Sequence, residues 1–211
     1  MKDKKIVKNV VQTFYDDIAS QYDKFYLDWD DAVREEAQFL AKLFEDKGYG
    51  ENARILDCAC GIGTQAIGLA ALGYDVTASD ISIGEIEEGK KRAAERNVDV
   101  SFMQADFRCL EEPFSDPFDI VIAIDNALPH MLTEGDLKKA VGSISQATRQ
   151  GGMFAASIRD YDSMTDERPE HSAPYVHKTD NGQRVLFQTW TGRMRTTDSF
   201  NISSKTGTLL K

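Results

Sequence analysis

The sequence is poor in cysteine and histidine, with three of each in 211 residues, and it has only five prolines. Three cysteines are too few for a disulfide framework. Cys58 and Cys60, two residues apart with no matching His or Cys partners, read as small apolar residues, and no metal is expected. Long apolar runs are missing too. The longest spans residues 120–124, far short of the roughly 20 residues that cross a bilayer. The basic start, MKDKKIVKNVVQTF, lacks a secretory apolar core. Positive charge is scarce: 25 Lys and Arg against 35 Asp and Glu give a net charge of −10. Phosphate backbones are held by clustered Lys and Arg, and no long basic run is present. Nucleic acid and membrane are therefore not expected as partners, and the expected location is cytoplasmic. The acidic balance bears on solubility and leaves the oligomeric state open.

What is there is the composition of a folded domain: 41% hydrophobic, 28% charged, 15 glycines. The length suits one domain over residues 1–211. Within it, residues 1–48 read as a helical cap segment, 52–159 as a cofactor-binding core, and 160–211 as a loop and antiparallel hairpin. Residues 15–29 are dense in aromatics and acids. Residues 32–47 set Val33, Ala37, Leu40 and Phe44 on one helical face, closed by Gly48. Strands are expected at 54–58, 74–79, 99–102, 118–124 and 153–158. Helices are expected at 64–72, from Ser82 to about residue 96, and from Thr133 to about residue 149. The spacing Ser82-x-x-Glu85 is a capping-box signature. The run 118–124 is apolar enough for a central strand buried on both faces. This alternation makes the fold class α/β, a doubly wound and mostly parallel sheet. Residues 160–172 read as a polar surface loop. Asn181-Gly182 is a hairpin signal, with strands expected at 184–190 and 193–202, so the sheet should finish with antiparallel additions.

Ligands of open α/β sheets lie beyond the carboxyl ends of the strands. The first strand is followed by Asp57-Cys-Ala59-Cys-Gly61-Ile-Gly63-Thr64, where glycines allow close backbone approach and a helix offers free N–H groups. Asp80 stands 23 residues beyond Asp57, where an acid can accept from both hydroxyls of a ribose. Asp106 and Phe107 follow the third strand, Asp125, Asn126 and His130 the fourth, Arg159 and Tyr161 the fifth. Two cofactor chemistries compete. Gly61-x-Gly63-x-x-Ala66 formally satisfies the dinucleotide fingerprint, yet Asp57 would repel a diphosphate. A ligand bringing an ammonium group to Asp57 would be attracted, as S-adenosylmethionine would be, with its ribose on Asp80 and its adenine beside Asp106 and Phe107.

The segments ILDCACGIGT, Asp80, ADF at 105–107 and FDIVIAIDNALPH at 118–130 resemble the class I S-adenosylmethionine-dependent methyltransferases, over nearly the whole chain. Asp57-Cys-Ala59-Cys-Gly61, Asn126 with His130 four positions on, and Arg159-Asp-Tyr161-Asp are similar to the glycine and sarcosine N-methyltransferase group. The resemblance implies the Rossmann-like sheet of that family and S-adenosylmethionine as cofactor. It implies a cofactor site drawn from Asp57, Ala59, Gly61, Gly63, Asp80, Ile81, Asp106, Phe107 and Ile124, covered by Tyr15, Tyr22, Trp29 and Arg34. Asn126 and Arg159 would position the substrate, Arg159 grasping a carboxylate, with His130 and Tyr161 beside them. The implied reaction is methyl transfer to the amine of a small carboxylate-bearing substrate such as glycine or sarcosine. The alternatives are a methyltransferase for another small metabolite, for instance a cyclic or aromatic amine, a non-catalytic cofactor-binding module and, weakest, a dehydrogenase. Two departures stand out. The family normally adds a helix and an antiparallel strand pair, so the C-terminus here is either shortened or supplies those strands from 184–202. The family's glycine after the fourth strand is Asp125, which favours a cationic substrate.

Overall fold

The computed structural model describes residues 10–160, 173–179 and 182–187. Five strands, β1 (Arg54–Asp57), β2 (Asp75–Asp80), β3 (Ser101–Gln104), β4 (Phe118–Ala123) and β5 (Thr148–Ala156), lie side by side in the order β3-β2-β1-β4-β5, all parallel. The helices are α1 (Val10–Ile18), α2 (Trp29–Asp46), α3 (Thr64–Ala71), α4 (Ile83–Glu95) and α5 (Glu134–Ala147), with short 3-10 segments at Ala19–Phe25 and Leu128–His130. Strand order reverses direction between β1 and β4, which opens a crevice at the carboxyl ends of those strands.

The two central strands explain why the layers form. Ile55 pairs with Ile120 and Leu56 with Val121. Side chains alternate across a strand, so Ile55, Ile120 and Ile122 pack with Leu40, Phe44 and Leu69 on one face. Leu56, Val121 and Ala123 pack with Leu110 and Ile144 on the other. Each fully buried aliphatic side chain contributes roughly 1.5–3 kcal/mol, so a strand apolar on both faces is most stable between two helical layers.

Helix α2 buries Trp29, Val33, Ala37, Leu40 and Phe44, spaced by three and four residues. It begins at Trp29 rather than Ala32, because the Asp28 carboxylate accepts from the N–H of Asp31 and caps it. Its close approach to α3 depends on Gly68. A Cβ there would sit 2.4 Å from the Val33 carbonyl oxygen, so any other residue would push the helices apart.

Two strand starts and the hairpin differ from expectation by more than a residue. Strand β3 starts two residues later, at Ser101. Strand β5 starts at Thr148 rather than Met153 and runs through Gly151 and Gly152. Its pairing with β4 shifts register between Phe118 and Ile120; Gly151 turns at φ 73° and its carbonyl accepts from the Tyr49 hydroxyl. The glycine pair is thus an irregularity inside the strand and not its boundary. The hairpin also differs. Strands β6 (Tyr175–Thr179) and β7 (Gly182–Leu186) pair antiparallel with each other, as a two-stranded sheet separate from the main one. The strand expected at 184–190 pairs backwards, with 175–179. The loop at 161–172 and the strand expected at 193–202 lie outside the described residues.

Candidate active site

The loop from β1 into α3 is stitched to the end of β2 by backbone donors. The N–H of Ala59 reaches Asp57 Oδ1 (3.3 Å), that of Cys60 the Ser79 carbonyl (3.0 Å), and that of Gly61 reaches Asp80 Oδ2 (3.0 Å). Asp80 Oδ1 accepts from the N–H of Ser82 (2.9 Å). Gly63 then caps α3 at φ 89°, a left-handed conformation that disfavours any side chain. Ile81 offers its carbonyl to the Gln104 amide (2.9 Å). Asp57, Ala59, Gly61, Gly63, Asp80 and Ile81 thus meet around one crevice.

Acid dominates its charge balance. Asp57 is fully buried, its Oδ2 has no hydrogen-bond partner among the described residues, and burial pushes its carboxyl up to about 8. Burial also raises Asp80, opposed by the N–H groups of Ser82 and Gly61 that favour its charged form. Arg92, the cation acting on nearby Glu85, is itself held by Asp23 (3.3 Å) and Glu88 (2.9 Å). A diphosphate would set negative charge beside Asp80 and oppose ionisation of Asp57. A ligand with an ammonium group for the orphaned oxygen of Asp57 and hydroxyls for Asp80 satisfies both, so the residues fit S-adenosylmethionine.

The N-terminal segment walls the crevice. Asp16 Oδ1 accepts from the Ser82 hydroxyl (2.6 Å) and the N–H of Gly84 (3.1 Å), pinning α1 to the start of α4. Tyr15 and His130 share a hydrogen bond of 2.9 Å from hydroxyl to Nε2, and the Tyr22 ring lies 6.0 Å from that of Tyr15. Burial lowers His130, which keeps it neutral at pH 7. The Tyr26 hydroxyl donates to Asp125 Oδ2 (2.9 Å).

On the β4–β5 side, Asp125 and Asn126 adopt left-handed φ values of 54° and 67°. Ser157 fixes that bend: its hydroxyl accepts from the N–H of Asp125 and its carbonyl from the N–H of Asn126. Asn126 Oδ1 accepts from the N–H of Arg159 (3.1 Å), so the structure brings these two together. The Gln65 amide nitrogen bridges Glu36 Oε2 (2.5 Å) and Asp125 Oδ2 (3.0 Å). Burial, then the Asp125 charge, pushes Glu36 up to about 7. Beside this pair lies a groove of about 370 Å³ lined by Glu36, Phe39, Leu43, Ile124 and Ser157. Ile124 therefore faces the groove.

Several expected residues are committed elsewhere. Trp29 is 6% exposed, donates to the Thr64 hydroxyl (2.9 Å) and stacks against the guanidinium groups of Arg92 and Arg96, so it belongs to the core under α2. Arg34 is exposed and paired with Asp31 (2.6 Å) on its own helix. Asp106 is taken by Arg108, whose Nε (2.9 Å) and Nη2 (2.5 Å) close on its carboxylate, and Phe107 packs against the core around Leu56 and Leu110. Tyr161 lies outside the described residues. Glu36, Gln65, Tyr26 and Glu85 enter the site without having been singled out for it. The first three carry no local motif; Glu85 was legible only as a cap.

A family model for a methyltransferase domain matches residues 55–152. A glycine/sarcosine N-methyltransferase of Halorhodospira halochloris is 25% identical over 166 residues, 79% of this chain and 60% of that protein. Its counterpart from Parasynechococcus marenigrum is 27% identical over 155 residues, 74% of this chain and 54% of that protein. The chain thus spans well under two thirds of the length of these relatives. A crystal structure of an S-adenosylmethionine-dependent methyltransferase from Clostridium acetobutylicum superposes with a TM-score of 0.61 at 18% identity, covering 85% of this chain and 76% of that one.

Proposed function

We propose, for a chain that belongs to the class I S-adenosylmethionine-dependent methyltransferases, that it methylates the amine of a small carboxylate-bearing acceptor such as glycine or sarcosine. When bound, S-adenosylmethionine supplies a methyl group already activated by a positive sulfur. The protein then needs to align a neutral amine with it and exclude water, rather than provide a strong base. Asp57 takes the ammonium group of the cofactor and Asp80 holds its ribose. Arg159 holds the acceptor carboxylate, for which a planar guanidinium offers a bidentate fork. Asn126 positions that segment through its bond to the N–H of Arg159. Tyr15 and His130, joined across the crevice mouth, keep water out. The juxtaposition of Asn126 with Arg159 is the observation that carries this reading, and the names of the two relatives support it.

A second reading rests on a different observation. The Glu36–Gln65–Asp125 network adjoins a groove with apolar walls, a setting for an acceptor with a cationic amine on an apolar body. Transfer of labelled methyl from S-adenosylmethionine to a panel of glycine, sarcosine and cyclic or aromatic amines separates the two. Turnover of glycine or sarcosine that is lost in Arg159→Ala supports the first. Turnover confined to carboxylate-free amines and insensitive to Arg159 replaces it with the second.

A further inference from the structure

Glu85 sits in the first turn of α4, fully buried, with neither carboxyl oxygen hydrogen-bonded among the described residues. Its sequence spacing from Ser82 predicts a capping box, in which its carboxylate would accept from the N–H of Ser82. Only half of that box forms. The Ser82 hydroxyl accepts from the N–H of Glu85 (3.1 Å), but the N–H of Ser82 is given to Asp80. The Glu85 carboxyl is thereby released from its helix and lies against the β1 loop: Oε2 is 3.5 Å from where a Cβ on Gly61 would stand. Gly61 is the same residue whose N–H binds Asp80. Two carboxyl groups therefore flank one glycine turn. A buried polar group without a partner is costly in the free protein, and nothing in the helix requires it.

Sheet order tells which part of the ligand it meets. Asp80 ends β2 and Asp57 ends the neighbouring β1, so a ligand laid across the strand ends reaches them in succession. Glu85 follows β2 and belongs with Asp80, away from the ammonium-binding Asp57. We propose that Glu85 is a further cofactor-contacting residue, its carboxyl taking one ribose hydroxyl while Asp80 takes the other. This rests on the reading of the crevice as an S-adenosylmethionine site. Burial, with the charge of Asp80 next, pushes Glu85 up to about 9 against the opposing pull of Arg92; Glu88 on its own helix, Asp16 of α1, Tyr22 of the 3-10 segment and Cys60 of the β1 loop also face it. As a neutral acid Glu85 both donates and accepts, which suits a hydroxyl without setting a second negative charge beside Asp80.

The test is a cycle between protein and ligand, read by calorimetry with S-adenosylhomocysteine and its 2′-deoxy and 3′-deoxy analogues as probes. Glu85→Met should raise the melting temperature of the ligand-free protein and weaken S-adenosylhomocysteine about tenfold, the net worth of one hydrogen bond. Against one of the two deoxy analogues the same substitution should cost less than twofold, and Glu85→Gln should stay within about threefold of wild type. Unchanged affinity in Glu85→Met, an equal loss against all three probes, or a lowered melting temperature would overturn the assignment. A wild-type protein that binds none of the probes would instead overturn the reading of the crevice itself.

Discussion

Replacing Asp57 with Asn should make the ligand-free protein more stable at neutral pH while removing its grip on the cofactor. Asp57 is fully buried at the end of β1 with one oxygen unpartnered among the described residues, and burial, with the charges of Asp80, Asp125 and Glu36 behind it, raises its carboxyl from the ordinary 3.8 to about 8. A raised pKa means that the group's stabilising contribution is complete below about 3.8 and fades as pH rises through about 8. Each pH unit between those limits costs about 1.4 kcal/mol, so at pH 7 the folded state has forgone about 4 kcal/mol that the unfolded carboxylate gains by ionising. Asn does not titrate. Its amide, unsatisfied in the same place, gives back roughly 1–3 kcal/mol. The net gain at pH 7 is therefore about 1–3 kcal/mol, shrinking and reversing towards pH 4. Urea denaturation of both proteins at several pH values between 4 and 8 measures this directly. Glu85 tilts both curves alike, while Glu36, coupled to Asp57 through its charge, shares in the difference. Parallel stability curves across that range would refute the assignment of a buried neutral acid at this position.

Trp29→Ala should cost roughly 3–5 kcal/mol in urea denaturation, because the indole is buried and bonded to Thr64. Its effect on cofactor affinity, measured where the variant is folded, should be under threefold; a large loss of affinity in a stable Trp29→Ala protein would return this residue to the cofactor wall. Arg159→Lys should raise the KM for a carboxylate acceptor about tenfold or more, the cost of exchanging a forked contact for a point charge. Cofactor affinity should be unchanged, and steady-state kinetics with an unaltered KM would remove the clamp.

How much of this was legible in the sequence depends on whether the signal was local. Strand β4 could be read directly, because the apolar run 120–124, alternating onto both faces of a sheet, has few other uses. Asp57, Gly61, Gly63 and Asp80 can be named as candidates from the sequence because strand ends and glycines fix where a ligand can approach. Trp29 illustrates the opposite case. An aromatic in a run of aromatics carries no mark of facing a ligand or a core, and the Thr64 that receives its N–H lies 35 residues away. The sequence does not show that Arg108, two residues on, closes over Asp106 in a non-helical turn. Strand β5 was truncated because paired glycines look like a break, when the long-range pairing with β4 and the bond from Tyr49 carry the chain through them. Glu85 shows the same limit most clearly. Its spacing from Ser82 fits a cap, and only the position of Asp80 decides which carboxyl accepts from the N–H of Ser82.

The measurement that bears most directly on the central claim is equilibrium dialysis of the full chain with labelled S-adenosylmethionine, with and without excess NAD, beside the Asp80→Ala variant. The account predicts one S-adenosylmethionine per chain, no displacement by NAD, and affinity weakened by roughly 1–3 kcal/mol in the variant, the scale for a lost charged hydrogen bond. Displacement by NAD, or retention of S-adenosylmethionine at full affinity without the Asp80 carboxylate, would contradict it.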